Sequence, residues 1–342
     1  MKNLSLFLIG LCFLALHSCQ QGDAGKIITV NGPIDPSALG TVLTHEHILV
    51  DFIGADSTGY HRWNKDTVLR VMLPYLEECK ARGVNSFVEC TPAYLGRDPE
   101  LMRMLADASG LHIITNTGYY GARDNIFIPE AIFSLSPEEL ASIWIAEFEE
   151  GIEGSGIRPG FIKIGVERND TLSEEHRLLI RAAAIAHKKT GLVIASHTGP
   201  DAPAFEQLAI LEKEGVSPFA FIWVHAHRGS LSGNMEAARL GAWVSLDNYN
   251  IKRDDHAGKA YNTAWYVERI LALRDAGVLD QVLLSHDAGW YRPGEAGGGD
   301  IRGYSDIFTS LLPSLKESGF SSEEIDQLLI HNPRKAFAVT AR

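Results

Sequence analysis

Two histidines stand one residue apart in Thr44-His45-Glu46-His47, at the end of the apolar run 40–43. In an extended strand residues i and i+2 share a side, so His45 and His47 project together while Glu46 turns away. Two imidazoles converging from a rigid strand end can share a metal ion. Other apolar runs close on residues of the same kind. Lys163 interrupts Phe161-Ile162-Lys163-Ile164-Gly165, His197 ends Val193-Ile194-Ala195-Ser196-His197, His225 ends Phe221-Ile222-Trp223-Val224-His225, and Asp287 ends Val282-Leu283-Leu284-Ser285-His286-Asp287. Each has an ordinary explanation when taken alone. Lys163 can carry its charge out from a strand end or form a Schiff base. His197 and His225 can be satisfied core histidines, and Asp287 can cap a helix. Placed together, they would form one site.

Strand-like and helix-like runs alternate along the chain. Strands are expected leading into His45 and at 84–90, 111–117, 161–165, 192–197, 219–225, 242–247 and 281–287. Helices are expected near 65–82, 99–109, 137–151 behind a Ser136 cap, 173–190, 203–214, 234–240, 259–276 and 305–318. Such alternation implies parallel strands joined by helical crossovers. Eight units fit an α/β fold of the (β/α)₈ TIM-barrel kind, whose active sites lie at the C-terminal strand ends. A doubly wound sheet would carry a glycine-rich phosphate turn after its first strand. Here that position is Thr44-His45-Glu46-His47.

The order His-x-His, Lys, His, His, Asp over strands one, four, five, six and eight resembles the phosphotriesterase family of the amidohydrolase superfamily. The likeness runs from about residue 32 to 339 and includes Asn332-Pro333. It implies two divalent metal ions, usually zinc, bridged by a carboxylated lysine and a hydroxide. His45, His47 and Asp287 would hold the more buried ion, His197 and His225 the other, with Lys163 bridging as a carbamate formed with carbon dioxide. Donors of these types suit zinc, and manganese, cobalt or iron also fit. A lysine beside cations in a barrel mouth loses its preference for the ammonium form. Two metals lower the pKa of bridging water and polarise a carbonyl or phosphoryl oxygen, and Asp287 is placed to take the released proton.

Two departures from the family pattern bear on substrate. Asn248 stands where the phosphotriesterase itself has a histidine of its proton relay, and Arg228 where that relay has an aspartate. Neither can carry a proton at neutral pH. Tyr120, after strand three, falls where lactonase relatives carry a tyrosine near the metals. The expected activity is therefore hydrolysis of an ester or lactone. Phosphotriester hydrolysis is the alternative, followed by a Schiff-base aldolase using Lys163 or a binding protein without catalysis. Arg228 and Arg292 are candidate contacts for an anionic substrate group, although acidic residues in the same loops can pair with such arginines. His227 lies past its strand end and His286 faces away from Asp287, so both are left outside the ligand set.

The chain has 342 residues, 45% hydrophobic and 22% charged. Its formal net charge of −12 argues against nucleic acid as a partner. A small-molecule substrate is expected. Met1-Lys2-Asn3 precedes an apolar run over 4–16 and then Leu16-His17-Ser18-Cys19. This reads as a signal peptide over 1–18 with a lipobox-like end, because a membrane span needs about 20 apolar residues. The expectation is an exported protein, periplasmic or anchored by a lipid on Cys19, with a tether over 19–31 and the barrel over 32–342. Cys79 and Cys90 read as core residues rather than a disulfide framework. The resemblance also makes a homodimer an expectation.

Overall fold

A computed structural model describes residues 23–254 and 261–340. The leader, Cys19 and the first two positions of the helix expected from 259 lie outside these residues.

Eight strands form the barrel wall: β1 (Thr41–Leu49), β2 (Val84–Glu89), β3 (His112–Ile114, resumed at Asn116–Thr117), β4 (Phe161–Gly165), β5 (Ile194–His197), β6 (Phe221–Val224), β7 (Trp243–Leu246) and β8 (Val282–Leu284). Every neighbouring pair from β1 to β8 is parallel. The ring closes between β8 and β1. Thr44 Oγ1 donates to the Leu284 carbonyl at 3.0 Å, the His45 amide to Ser285 Oγ at 2.9 Å, and the Asp287 amide to the His45 carbonyl at 3.0 Å. The short strand Gly289–Tyr291 then continues alongside β1. This is the (β/α)₈ barrel expected from the alternation.

The crossovers are α1 (Lys65–Ala81), α2 (Pro99–Ser109), α3 (Pro137–Glu150), α4 (Glu174–Thr190), α5 (Asp201–Lys213), α6 (Leu231–Leu240), α7 (Thr263–Asp275) and α8 (Leu312–Glu317), the last preceded by a π-helical turn at Ile307–Leu311. Side-chain oxygens at Asn64, Asp98, Ser136, Ser173, Ser230 and Asn262 accept the first free amides of α1, α2, α3, α4, α6 and α7. Ser136 forms the full capping box with Glu139.

Strand alternation divides the core into two layers. Val42, Val88, Phe161, Ala195, Ile222, Trp243 and Leu283 fill the barrel interior. Their neighbours Leu43, Phe87, Ile162, Ile194, Trp223, Val244 and Leu284 pack under the helices. Ile27–Thr29 pairs with Gly32–Ile34 in an antiparallel hairpin, and Ile27 and Ile28 are fully buried. The segment expected to be a tether up to residue 31 therefore enters the fold before its end. Cys79 and Cys90 are buried and unpaired, as core residues.

Candidate metal centre

Simple alternation from Val42 would send His45 outward with Leu43. Instead β1 holds an irregularity: Leu43 pairs with Phe87 and Glu46 with Glu89, so three steps on β1 match two on β2. The extra residue reverses the parity and turns His45 and His47 into the barrel. The strand also runs on to Leu49, well past the apolar run that marked it in sequence.

Glu46, on the outer side, fixes the end of β8. Its Oε1 accepts from Ser285 Oγ (2.7 Å), the His286 amide (2.9 Å) and His286 Nδ1 (2.7 Å), and its Oε2 from the Ala288 amide (2.9 Å). These bonds draw 285–288 off the strand ladder, so β8 ends at Leu284 rather than at 287. Asp287 then adopts a left-handed backbone (φ 53°), as does His225 at the end of β6 (φ 61°). Such a conformation costs a side-chain-bearing residue about 1–2 kcal/mol. Strain at two candidate ligands is of the kind that collects at functional sites.

The six predicted ligands come together at the C-terminal mouth. His47 Nε2 lies 3.2 Å from Asp287 Oδ1, His45 Nε2 3.8 Å from the same oxygen, and His225 Nε2 3.9 Å from Asp287 Oδ2. The His197 and His225 rings meet edge to face at 4.4 Å between centroids. Lys163 is 2% exposed on β4, and its Nζ lies 6.0 Å from the Tyr120 ring centroid. Tyr120 reaches the site as well, with its hydroxyl 3.2 Å from His197 Nε2.

Electrostatics favours a donor set ready for a cation. Burial pulls the Lys163 amine below its ordinary value, opposed by nearby Cys90, Asp247 and Asp287. Burial, then the neighbouring His225 and Lys163, hold His197 well down. Asp287 is held far below the usual carboxylate range: burial works against this, but the hydrogen bond from His47 and the charges of His225 and His45 outweigh it. A neutral amine, neutral imidazole and ionised carboxylate are the forms that bind divalent ions. The residues present fit such ions.

The sequence places Asp247 at the end of an expected strand, 242–247, without giving it a part in the site. Buried under the site, it takes His45 Nδ1 on Oδ2 at 3.0 Å and His225 Nδ1 on Oδ1 at 2.7 Å. The His225 amide (3.1 Å) and Ser245 Oγ (2.8 Å) donate to it too. Both histidines are thereby oriented with Nε2 toward Asp287. Thr91 does the same for His47, with Oγ1 2.8 Å from Nδ1. Two groups, His45 with His47 and Asp287, and His225 with His227 and Asp247, have ligand atoms mutually within 4.8 Å. In the second, Asp247 is already committed to two imidazoles, and His225 turns its other nitrogen to the first group. His227 is buried beside His225, with ring centroids 5.6 Å apart.

The two arginines differ. Arg228 lies on the turn Ala226–Arg228, directly after His225. Arg292 is not brought to the site: its guanidinium pairs with Glu295, three residues on, at 3.1 Å. Arg302, from the same loop, donates to the carbonyls of His286 and Asp287 and braces the β8 end.

Comparison with known proteins agrees with this geometry. The family model described as "Phosphotriesterase family" matches residues 25–337. The phosphotriesterase homology protein of Escherichia coli (strain K12) is 31% identical over 305 residues, covering 89% of this chain and 99% of its own. The aryldialkylphosphatase of Saccharolobus solfataricus is 28% identical over 317 residues, covering 89% and 97%. The N-acetyltaurine hydrolase of Mus musculus is 27% identical over 352 residues, covering 91% and 97%. With strand-end histidines, lysine and aspartate in one barrel mouth and the family match spanning nearly the whole described chain, the protein belongs to the phosphotriesterase family.

Proposed function

We propose that the chain is a metal-dependent hydrolase of esters or lactones. The observation that carries this reading is the convergence of His45, His47, Lys163, His197, His225 and Asp287 on one mouth, with Lys163 and His197 shifted toward their neutral forms. These six residues would hold two divalent ions, zinc first and manganese, cobalt or iron as other fits. Lys163, as a neutral amine, can take up carbon dioxide and present a carbamate oxygen to each ion. When bound, such a pair lowers the pKa of water and polarises a carbonyl or phosphoryl oxygen.

The chain's own residues supply the rest. Asp287 stays ionised, the form that ligates a cation, and with an ion bound its carboxylate would be placed to take a proton from activated water. Tyr120 is kept protonated, because burial and the nearby Asp287 raise its pKa, so its hydroxyl donates to oxygen charge developing beside His197. Asp247 and Thr91 hold three of the imidazoles in place. At 248 an asparagine replaces the relay histidine of the phosphotriesterase, which favours ester or lactone over phosphotriester. A relative named for N-acetyltaurine hydrolysis brings amides into the panel of substrates to try.

The test is turnover of lactones, esters, amides and phosphotriesters by purified protein, before and after chelation. The reading predicts ester or lactone turnover that chelation abolishes and metal restores. Turnover indifferent to chelation, with a carbonyl substrate trapped on Lys163 by borohydride, would establish the aldolase instead.

A further inference from the structure

The rim of the centre is asymmetric. On the side of β1 and β8, the Trp290 ring stands 6.1 Å from His47 and 5.8 Å from Phe52, forming an aromatic wall. Opposite, beside His197, the loops after β4 and β6 bring in Arg168 and Arg228. They flank Gly199, where an added Cβ would meet Arg228 Cδ at 3.4 Å and Arg168 Cγ at 3.8 Å.

Several arginines of the chain are already spent on carboxylates. Arg62, Arg97, Arg158, Arg177 and Arg292 each hold a carboxylate. Among the described residues, none forms an ion pair with Arg168 or Arg228, although the chain is strongly acidic. Arg228 Nη1 is buried and has no hydrogen-bond partner among them. An unsatisfied buried donor costs about 1–3 kcal/mol, more when charged. Arg168 is exposed to solvent beside Gly199, so its guanidinium is open to an incoming anion. Guanidinium forks suit a carboxylate or sulfonate held by paired N–H bonds.

We propose that Arg168 and Arg228 form an oxyanion-binding subsite, so that the substrate carries a carboxylate or sulfonate away from the scissile bond and lays its apolar part on Trp290 and Phe52. This deepens the hydrolase reading and rests on it for what is cleaved, but not for what is bound. A γ-butyrolactone bearing a ring carboxylate, its uncharged carboxamide and its sulfonate counterpart probe the subsite. Wild-type protein should favour the two acids over the amide by about tenfold or more in kcat/KM, and Arg228→Gln or Arg168→Gln should erase about tenfold of that preference. Calorimetric binding of the three ligands reads the subsite without turnover, and each variant should weaken acid binding while the amide serves as control. A stronger response to carboxylate or to sulfonate distinguishes the two anions. Acid binding that is undetectable, or equal in wild type and both variants, overturns the subsite. Acid binding lost in the variants, with no lactone cleaved by any form, keeps the subsite and removes the lactone reading.

Discussion

Asp247 carries two candidate ligands from beneath, and that makes it the residue whose removal is most informative. Asp247→Asn keeps the shape but cannot accept from both imidazoles and the His225 amide as an ionised carboxylate does. Partners of this kind typically contribute about 10–100-fold to metal affinity. We expect a loss of that size in competition against a fluorescent zinc chelator, with the far-UV spectrum retained; unchanged affinity would show that the strand ends alone orient His45 and His225. The candidate ligands themselves were legible in the sequence because their types are out of place at the ends of apolar strands. Asp247 was not, since an acid after a strand is ordinary and its partners lie on β1 and β6. For Arg292 the sequence offered both outcomes, a substrate contact or a pair with an acid of its own loop, because loop geometry decides between them; the pair with Glu295 is what forms.

At the level of elements, the β1 irregularity and the β8 terminus do most of the positioning. The eight strands and most helices could be read from alternation and caps, with ends displaced by a few residues. The irregularity could not, because nothing in Leu43-Thr44-His45-Glu46 marks an extra residue, and the pairing with β2 reveals it. Glu46 is the counterpart of that irregularity, holding Ser285, His286 and Ala288 together. Glu46→Ala strands a buried imidazole and several amides, and should cost about 3–5 kcal/mol in urea unfolding. A loss below about 1 kcal/mol would mean that 285–288 is held by the ladder after all. A second element-level test is Gly118, with φ 114° after β3, where a Cβ would overlap the Lys163 carbonyl. Gly118→Ala should destabilise by about 1–3 kcal/mol and displace β4, which carries Lys163. Wild-type stability would show that loop three yields instead.

For the whole molecule, the closed barrel makes one mouth the meeting point of residues 242 positions apart, from His45 to Asp287. Ions bound only by the folded chain add to its stability, by about 4 kcal/mol at a thousandfold excess over Kd. Chelation should therefore lower Tm by several degrees, with recovery on adding zinc; a Tm indifferent to chelation would separate folding from the centre. Export is our proposal from the leader alone. Cys19→Ser should release a lipid-anchored form from membranes, because the acyl chains supply the affinity, whereas an unprocessed leader in the mature protein would remove the proposal. Among the described residues no helix is long and apolar enough to cross a membrane. The proposed centre depends on Lys163 joining two ions, which can be read from metal content by inductively coupled plasma mass spectrometry. Wild-type protein should hold two divalent ions per chain and Lys163→Ala one or none; equal metal content in the two would show that Lys163 joins no ions.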